Sequence, residues 1–439
     1  MKELQMGIDG QKHLVIVGGG FAGLNAAKAL AKEKRLRITL IDRRNHHLFQ
    51  PLLYQVAMAG LSPADIAAPI RSILSKQKNL KVVCGSLRSV DPNGKTIETD
   101  FGDLDYDYLM LACGAMHSYF GNSQWEKHAP GLKTIEQATE IRRRVLSAFE
   151  KAELASDVLD KRKHLTFVVV GAGPTGVELA GAIGEMSRFT LAKDFRRIDS
   201  KLARVILIEA GPRILPMFSE KLSSRAMRDL EQLGVQTWTN SRVCNVTDEG
   251  VEVDGESIKA STVLWAAGIE ASPVGAQSGL ECDRVGRVKV EKDLSLPGDR
   301  NIFVAGDQCC FESEEGGALP SVAPVAVQQG QHVAKMIRAD LAERERFDFQ
   351  YRDKGQMATI GRSRAIAATG NLELTGFSAW MAWLLVHIYF LTGFKNRLFV
   401  MMSWAWSFLT FRRGARLILS RDWRSFEPQE SPGNSEQAA

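Results

Sequence analysis

The sequence predicts an α/β fold built from two repeated parallel-sheet units and closed by an apolar helical C-terminus. Three observations predict it. The strand–glycine–helix pattern HLVIVGGGFAG, His13 to Gly23, recurs from Leu165 as LTFVVVGAGPTGVELAG. Each copy is followed by a short apolar strand ending in a carboxylate, Asp42 or Glu209, and later by a buried strand ending in small residues. From Gly376 to Phe411 the chain turns almost wholly apolar, interrupted at Lys395-Asn396-Arg397.

In the first copy, Leu14 to Val17 read as a strand that breaks at Gly18 and enters a helix near Phe21. Gly18 permits a tight turn, Gly20 lets a pyrophosphate approach the backbone, and Gly23 lets helix and strand pack closely. The free N–H groups and dipole of the helix N-terminus favour the diphosphate. Asp42, after the strand Ile38 to Ile41, is placed to accept from an adenosine ribose. Residues 1–12 are expected to be a frayed tail. His46 to Gly60, HHLFQPLLYQVAMAG, reads as an apolar loop that packs in the core or walls a flat ring system. Val82 to Cys84 and Thr96 to Thr99 read as strands, with Pro92-Asn93-Gly94 as the hairpin turn between them. The strand in YDYLMLACG ends at Ala112 and Gly114, small enough to let the chain pass close to a bound dinucleotide. Ile135 to Leu154 is an amphipathic helix that opens a second domain.

The second copy carries Gly171, Gly173 and Gly176, with Pro174 in the first helical turn. The distance to Glu209, after the strand Val205 to Ile208, exceeds the usual interval of about 20 residues. The excess is a basic insertion, Arg188 to Lys201, expected to lengthen the helix. A carboxylate at Glu209 accepts from a 2′-hydroxyl and opposes a 2′-phosphate, which favours NAD over NADP, although Arg213 lies nearby. STVLWAAG, ending in Ala267 and Gly268, copies YDYLMLACG. The chain therefore reads as an internal duplication: two Rossmann-like dinucleotide-binding domains, one for FAD and one for NADH. NIFVAGD then ends in Asp307, either a turn residue or a carboxylate for a flavin ribityl chain. The second reading returns the chain to its first domain. The expected division is 11–119 and 269–345 for FAD, 120–268 for NADH, 346–425 for membrane association, and 426–439 as a flexible tail. The helix beginning near Pro324 and containing Val327 would aim its N-terminus at the flavin ring.

A formal charge of +5 over 439 residues gives no argument for nucleic acid. Six cysteines without C-x-x-C spacing predict neither disulfides nor a metal site, and no secretory signal is expected, because the apolar run at Leu14 belongs to the first strand. The two apolar C-terminal runs would reach roughly 27 Å and 21 Å as helices, short of a hydrocarbon core of about 30 Å. In the second run Ser403, Ser407 and Thr410 share one face, and Phe399, Met402, Trp406 and Leu409 another. With tryptophans and Arg412, Arg413, Arg416, Arg421 and Arg424 alongside, this fits helices lying in the cytoplasmic membrane interface. One spanning helix, or a homodimer or core contact, are the alternatives. His387 reads as a packed or interfacial residue.

These residues together resemble the type II NADH:quinone oxidoreductases, flavoproteins of glutathione-reductase-like fold. The resemblance rests on GGGFAG, FQPLLYQVA, GAGPTGVE, VILIEAGPR, WAAG, FVAGD, APVAVQQG, DKGQMATIG and GFKNR, and spans nearly the whole chain. It implies a single-chain enzyme with non-covalent FAD, without iron–sulfur clusters or proton pumping. Such an enzyme carries electrons from NADH to a membrane quinone and is held monotopically on the cytoplasmic face of the cell membrane. Glu178 matches a family glutamate implicated in nucleotide and quinone handling. Gln328 matches the second glutamine of the quinone-site pattern A-Q-x-A-x-Q, whose first glutamine is Pro324 here. Lys395 is the candidate for a cation near the quinone. A disulfide reductase would need a cysteine pair within residues 24–60, which hold none. A sulfide:quinone oxidoreductase would need reactive cysteines and no NAD site.

Overall fold

The computed structural model describes residues 10–313, 316–410 and 414–419. Its first sheet has six strands in the order Ser295–Leu296, Asp299–Val304, Tyr108–Leu111, Lys12–Val17, Leu36–Asp42 and Leu80–Cys84. All but the first of these pair in parallel. The second sheet has four parallel strands, Val235–Trp238, Arg204–Ile208, Thr166–Val170 and Thr262–Trp265. Parallel strands covered on both faces should be apolar throughout. Leu14, Val15 and Ile16 in one sheet and Phe167, Val168 and Val169 in the other are indeed fully buried. Between the two sheets, Ala115–His117 and Ile269–Ala271 run side by side in antiparallel pairing.

The glycine helices sit where small residues admit them. The first, Phe21–Ala29, is crossed by the long helix Ala323–Leu341 at Gly330, where a Cβ would come within 2.1 Å of the Ala22 carbonyl oxygen. The second, Pro174–Glu185, presses on the strand Gln356–Gly361 at Gly181, where a Cβ would meet the Ile360 oxygen at 1.8 Å. That strand belongs to an antiparallel three-stranded sheet with Arg364–Thr369 and Leu372–Thr375. Helices Gly376–Phe390 and Phe394–Thr410 follow it. Among the described residues no helix is long and apolar enough to cross a membrane.

Several local expectations need correction. The turn at Pro92 to Gly94 joins Leu87–Asp91 to Thr96–Thr99; Val82 to Cys84 belong to the main sheet. His46 to Gly60 is ordered rather than loop, with a strand His46–Leu48, a 3-10 turn Gln50–Leu52 and a helix Leu53–Ala57. Phe49, Leu52, Leu53 and Val56 are buried there, and that burial organises the segment. The basic insertion lengthens its helix by one π turn, Met186–Thr190, before the chain turns away. The tail ends sooner than expected, since Lys12 already opens a strand. The C-terminal helices break at 391–393, where Gly393 has φ +92°, and Lys395 to Arg397 lie inside the second helix. Arg412, Arg413, Arg421, Arg424 and the tail 426–439 fall outside the described residues.

Gly181→Ala is expected to destabilise the protein by about 1–3 kcal/mol, because backbone on both sides must move to admit one methyl group. Chemical denaturation of the purified protein measures this, and an unchanged midpoint would show that helix and strand are not locked there.

Candidate active site

Two cradles of the same geometry lie at the C-terminal ends of the two sheets. In the first, Gly18 has φ +106°, and a Cβ on it would lie 2.1 Å from the Ala112 oxygen. A Cβ on Gly23 would strike the Gly18 oxygen at 1.9 Å, whereas one on Gly20 meets nothing within 4 Å. In the second, Gly171 has φ +95° and faces Ala267, with the Ala267 Cα 2.5 Å from the ideal Cβ. A Cβ on Gly176 would strike the Gly171 oxygen at 1.8 Å, and one on Gly173 again meets nothing. The first and third glycines are therefore required by packing. The second leaves open space above a helix N-terminus, where a diphosphate can approach.

The carboxylates repeat the symmetry. Asp42 Oδ2 accepts from the Gly19 N–H at 2.6 Å, and Oδ1 from the Arg44 N–H at 2.7 Å. Glu209 Oε2 accepts from the Ala172 N–H and Oε1 from the Gly211 N–H, both at 2.8 Å. Each carboxylate thus braces its own glycine loop and stands beside the space a ribose would take. Gly114, with φ +71°, continues the chain past the first cradle, and Gly268 packs against Phe120 beside the second. The donor set and the open cradles fit two dinucleotides.

Asp307 follows a strand that pairs with Tyr108–Leu111, so it stands near the first cradle. Its Oδ2 lies 3.4 Å from the ammonium of Lys133, a partner that no motif announced. Gln329, almost fully buried, accepts the Gly306 N–H at 2.7 Å, and Gln308 accepts the Cys113 N–H at 3.0 Å. These two glutamines hold the turn carrying Asp307 to the long helix and to the end of the central strand. Val327 lies half-buried on that long helix. His47 also went unread: it donates from Nδ1 to the Gly19 oxygen at 3.0 Å, and burial lowers its pKa to about 4.

A third feature is a cavity of about 110 Å³ between the second glycine helix, the strand Gln356–Gly361 and the two C-terminal helices. Glu178 and Glu185 line it from one helix, with Tyr54, Gln55, Arg362, Trp383, Trp404 and Phe408 among the other walls. Trp404 donates to Gln55 Oε1 at 2.7 Å, which ties a C-terminal helix to the segment after the first unit's second strand. The Arg362 guanidinium covers the Phe408 ring at 4.2 Å, and its backbone N–H donates to Glu185 Oε2. Glu178 opens partly to the cavity, yet the protein around it desolvates its carboxyl and pushes its pKa up to about 8. A backbone hydrogen bond from Thr359 works in the opposite direction. Of the three proposed catalytic residues, Glu178 lines this cavity. Gln328 is instead paired to the Arg352 backbone by two hydrogen bonds of 3.0 Å, and Lys395 is exposed beside Phe399. His387 is packed: it stacks on Trp383 with centroids 4.1 Å apart.

Residues 12–330 match the model of the pyridine nucleotide-disulphide oxidoreductase family, the class that the duplicated cradles define. A type II NADH:quinone oxidoreductase of Mycobacterium tuberculosis is 46% identical over 421 residues, which covers 92% of this chain and 90% of that protein. The chain belongs to the type II NADH:quinone oxidoreductases within that broader family. Among the solved structures that share the fold are two that carry a nicotinamide or quinone name. One is NDH2 from Plasmodium falciparum in complex with NADH, at TM-score 0.84 and 20% identity over 93% of this chain and all of that one. The other is the sulfide:quinone oxidoreductase of Aquifex aeolicus, at 0.69 and 21% over 88% and 91%.

Gly20→Ala and Gly173→Ala should fold normally and each weaken dinucleotide retention by roughly tenfold or more, equivalent to about 1.4 kcal/mol. Gly23→Ala and Gly176→Ala should instead fail to fold. Circular dichroism with equilibrium dialysis separates the outcomes, and full retention by Gly20→Ala would remove the diphosphate from that loop.

Proposed function

We propose that this chain holds FAD in the first cradle and NADH in the second, and reduces a quinone that enters the aromatic cavity from a membrane surface. The observation that carries this is the position of the cavity. It joins Glu178, on the helix that starts the second cradle, to helices whose other faces expose large apolar side chains. On Phe394–Thr410, Trp404 faces the cavity while Met402, Trp406 and Leu409 are exposed. The helices Gly376–Phe390 and Phe394–Thr410 then lie monotopically on the cytoplasmic leaflet, with a quinone passing between lipid and cavity.

FAD, when bound, supplies the hydride acceptor for NADH and the two-electron donor for the quinone. The chain's own part is to bind, orient and hold protons. The Gly18 to Gly23 and Gly171 to Gly176 loops offer amides to the two diphosphates, and Asp42 and Glu209 accept from the two riboses. The charge of Glu209 favours NADH over NADPH. Lys133 balances Asp307 where a ribityl chain would lie, and the N-terminus of Ala323–Leu341 offers positive dipole to the ring. Glu178 carries its proton at neutral pH and faces the cavity, so it can donate to a quinone oxygen. A sulfide-oxidising role would need a reactive thiol pair. Cys309 and Cys310 are buried with thiol pKa values raised by desolvation, which disfavours the thiolate.

The purified protein should be yellow, bleach under NADH without oxygen, and recover colour with a short-chain quinone; failure to bleach would overturn the reading. Quinone-dependent NADH oxidation should decline as pH rises through about 8, where Glu178 loses its proton. Glu178→Gln should lower that turnover roughly 10²-fold, abolish the decline, and leave NADH-to-ferricyanide reduction largely intact. The same pH profile in both proteins would remove Glu178 from proton transfer.

A further inference from the structure

Four aliphatic side chains that do not line the cavity are left in water: Leu154 at 76% exposure, Val158 at 74%, Leu159 at 71% and Leu202 at 73%. They lie where helix Ile135–Leu154 ends, where helix Val158–His164 begins, and just before strand Arg204–Ile208. The basic insertion is fastened to this place. The Glu153 carboxylate accepts the backbone N–H groups of Arg196, Arg197 and Ile198 at 2.9–3.0 Å. The insertion exposes Lys193, Arg196, Arg197 and Lys201; among the described residues none of them lies within ion-pair distance of a carboxylate, and Arg197 interacts with Glu153 electrostatically at longer range.

The insertion touches the C-terminal segment through one ion pair, Asp194 with Arg416. Immediately beyond Arg416, Leu417, Ile418 and Leu419 are exposed. Basic heads beside bare aliphatic chains suit a surface that is anionic outside and apolar just beneath, as a leaflet of acidic phospholipid is. A second copy of the chain fits less well, because a two-fold contact would set the four cations against themselves.

We propose that the insertion and the adjoining helix ends form a second lipid contact. Lys193, Arg196, Arg197 and Lys201 bind anionic headgroups, and Leu154, Val158, Leu159 and Leu202 enter the interface. The proposal rests on the membrane-facing reading of the C-terminal helices, and it fixes which lipids the protein prefers and how the second nucleotide unit is held over the bilayer.

The test is flotation of the full, flavin-loaded chain with vesicles of phosphatidylcholine, and with the same vesicles containing phosphatidylglycerol. The parent should bind both, the anionic ones more tightly, with a preference that fades at high salt. Lys193→Glu/Arg196→Glu/Arg197→Glu/Lys201→Glu should bind neutral vesicles as the parent does and lose at least about tenfold in affinity for anionic ones. Leu154→Ser/Val158→Ser/Leu159→Ser/Leu202→Ser should weaken binding to both. Ferricyanide reduction by NADH should persist in each variant and reports correct folding. If the charge-reversed protein loses its flavin, Lys193→Gln/Lys201→Gln replaces it, with a smaller loss in the same direction. A folded variant that still prefers anionic vesicles overturns the proposal, as does a changed oligomeric state with vesicle binding unaltered. A parent that binds neither vesicle overturns the membrane reading beneath it.

Discussion

The structure depends on a contact made twice: the third glycine of each motif lying against the carbonyl of the first. At Gly23 and Gly176 an added Cβ would stand 1.9 Å and 1.8 Å from that oxygen, so no side chain can be accommodated. The contact draws each helix onto the strand that feeds it and turns its N-terminus toward the end of the sheet. The unpaired amides there are the physical basis of anion binding. The middle glycine, with nothing within 4 Å, leaves that end accessible. Asp42 and Glu209 complete the arrangement by bracing the loops from the neighbouring strand.

From this constraint follows the placement of everything that acts. The second glycine helix begins at the second cradle and runs back along the aromatic cavity, which Glu178, near its start, lines. A carboxyl held in water would be ionised at neutral pH. Here burial desolvates it and pushes its pKa up to about 8, against a backbone hydrogen bond at Thr359 that works the other way. Gly181 is what lets strand Gln356–Gly361 approach so closely, and Trp404, bonded to Gln55, closes the far side.

Much of this is legible in the sequence. The amphipathic helix Ile135–Leu154, the starts of both glycine helices and the strands ending in Asp42 and Glu209 stand where periodicity and glycine spacing put them, because short-range rules govern such elements. Less legible were features that depend on partners far along the chain. Pro92 to Gly94 signal a turn, but the fold and not the turn decides that Leu87–Asp91, rather than Val82 to Cys84, pairs across it. The segment His46 to Gly60 lacks periodicity and folds because its apolar residues find a core. Gln329 and Gln328 are adjacent and chemically identical. The helix turns one toward Gly306 and the other toward Arg352, so the residue singled out for the quinone is bonded to backbone elsewhere.

The sequence by itself determined the two strand–glycine–helix units, the carboxylates that follow them and the apolar character of the C-terminus, because each is encoded within a few tens of neighbouring residues. Tertiary structure decided the rest: the Lys133–Asp307 pair, the cavity shared by Glu178 and three tryptophans, and the patch formed by the basic insertion and two helix ends. Those groups are separated by tens to hundreds of residues. Their chemistry arises from desolvation and proximity, which have no value until the chain has folded.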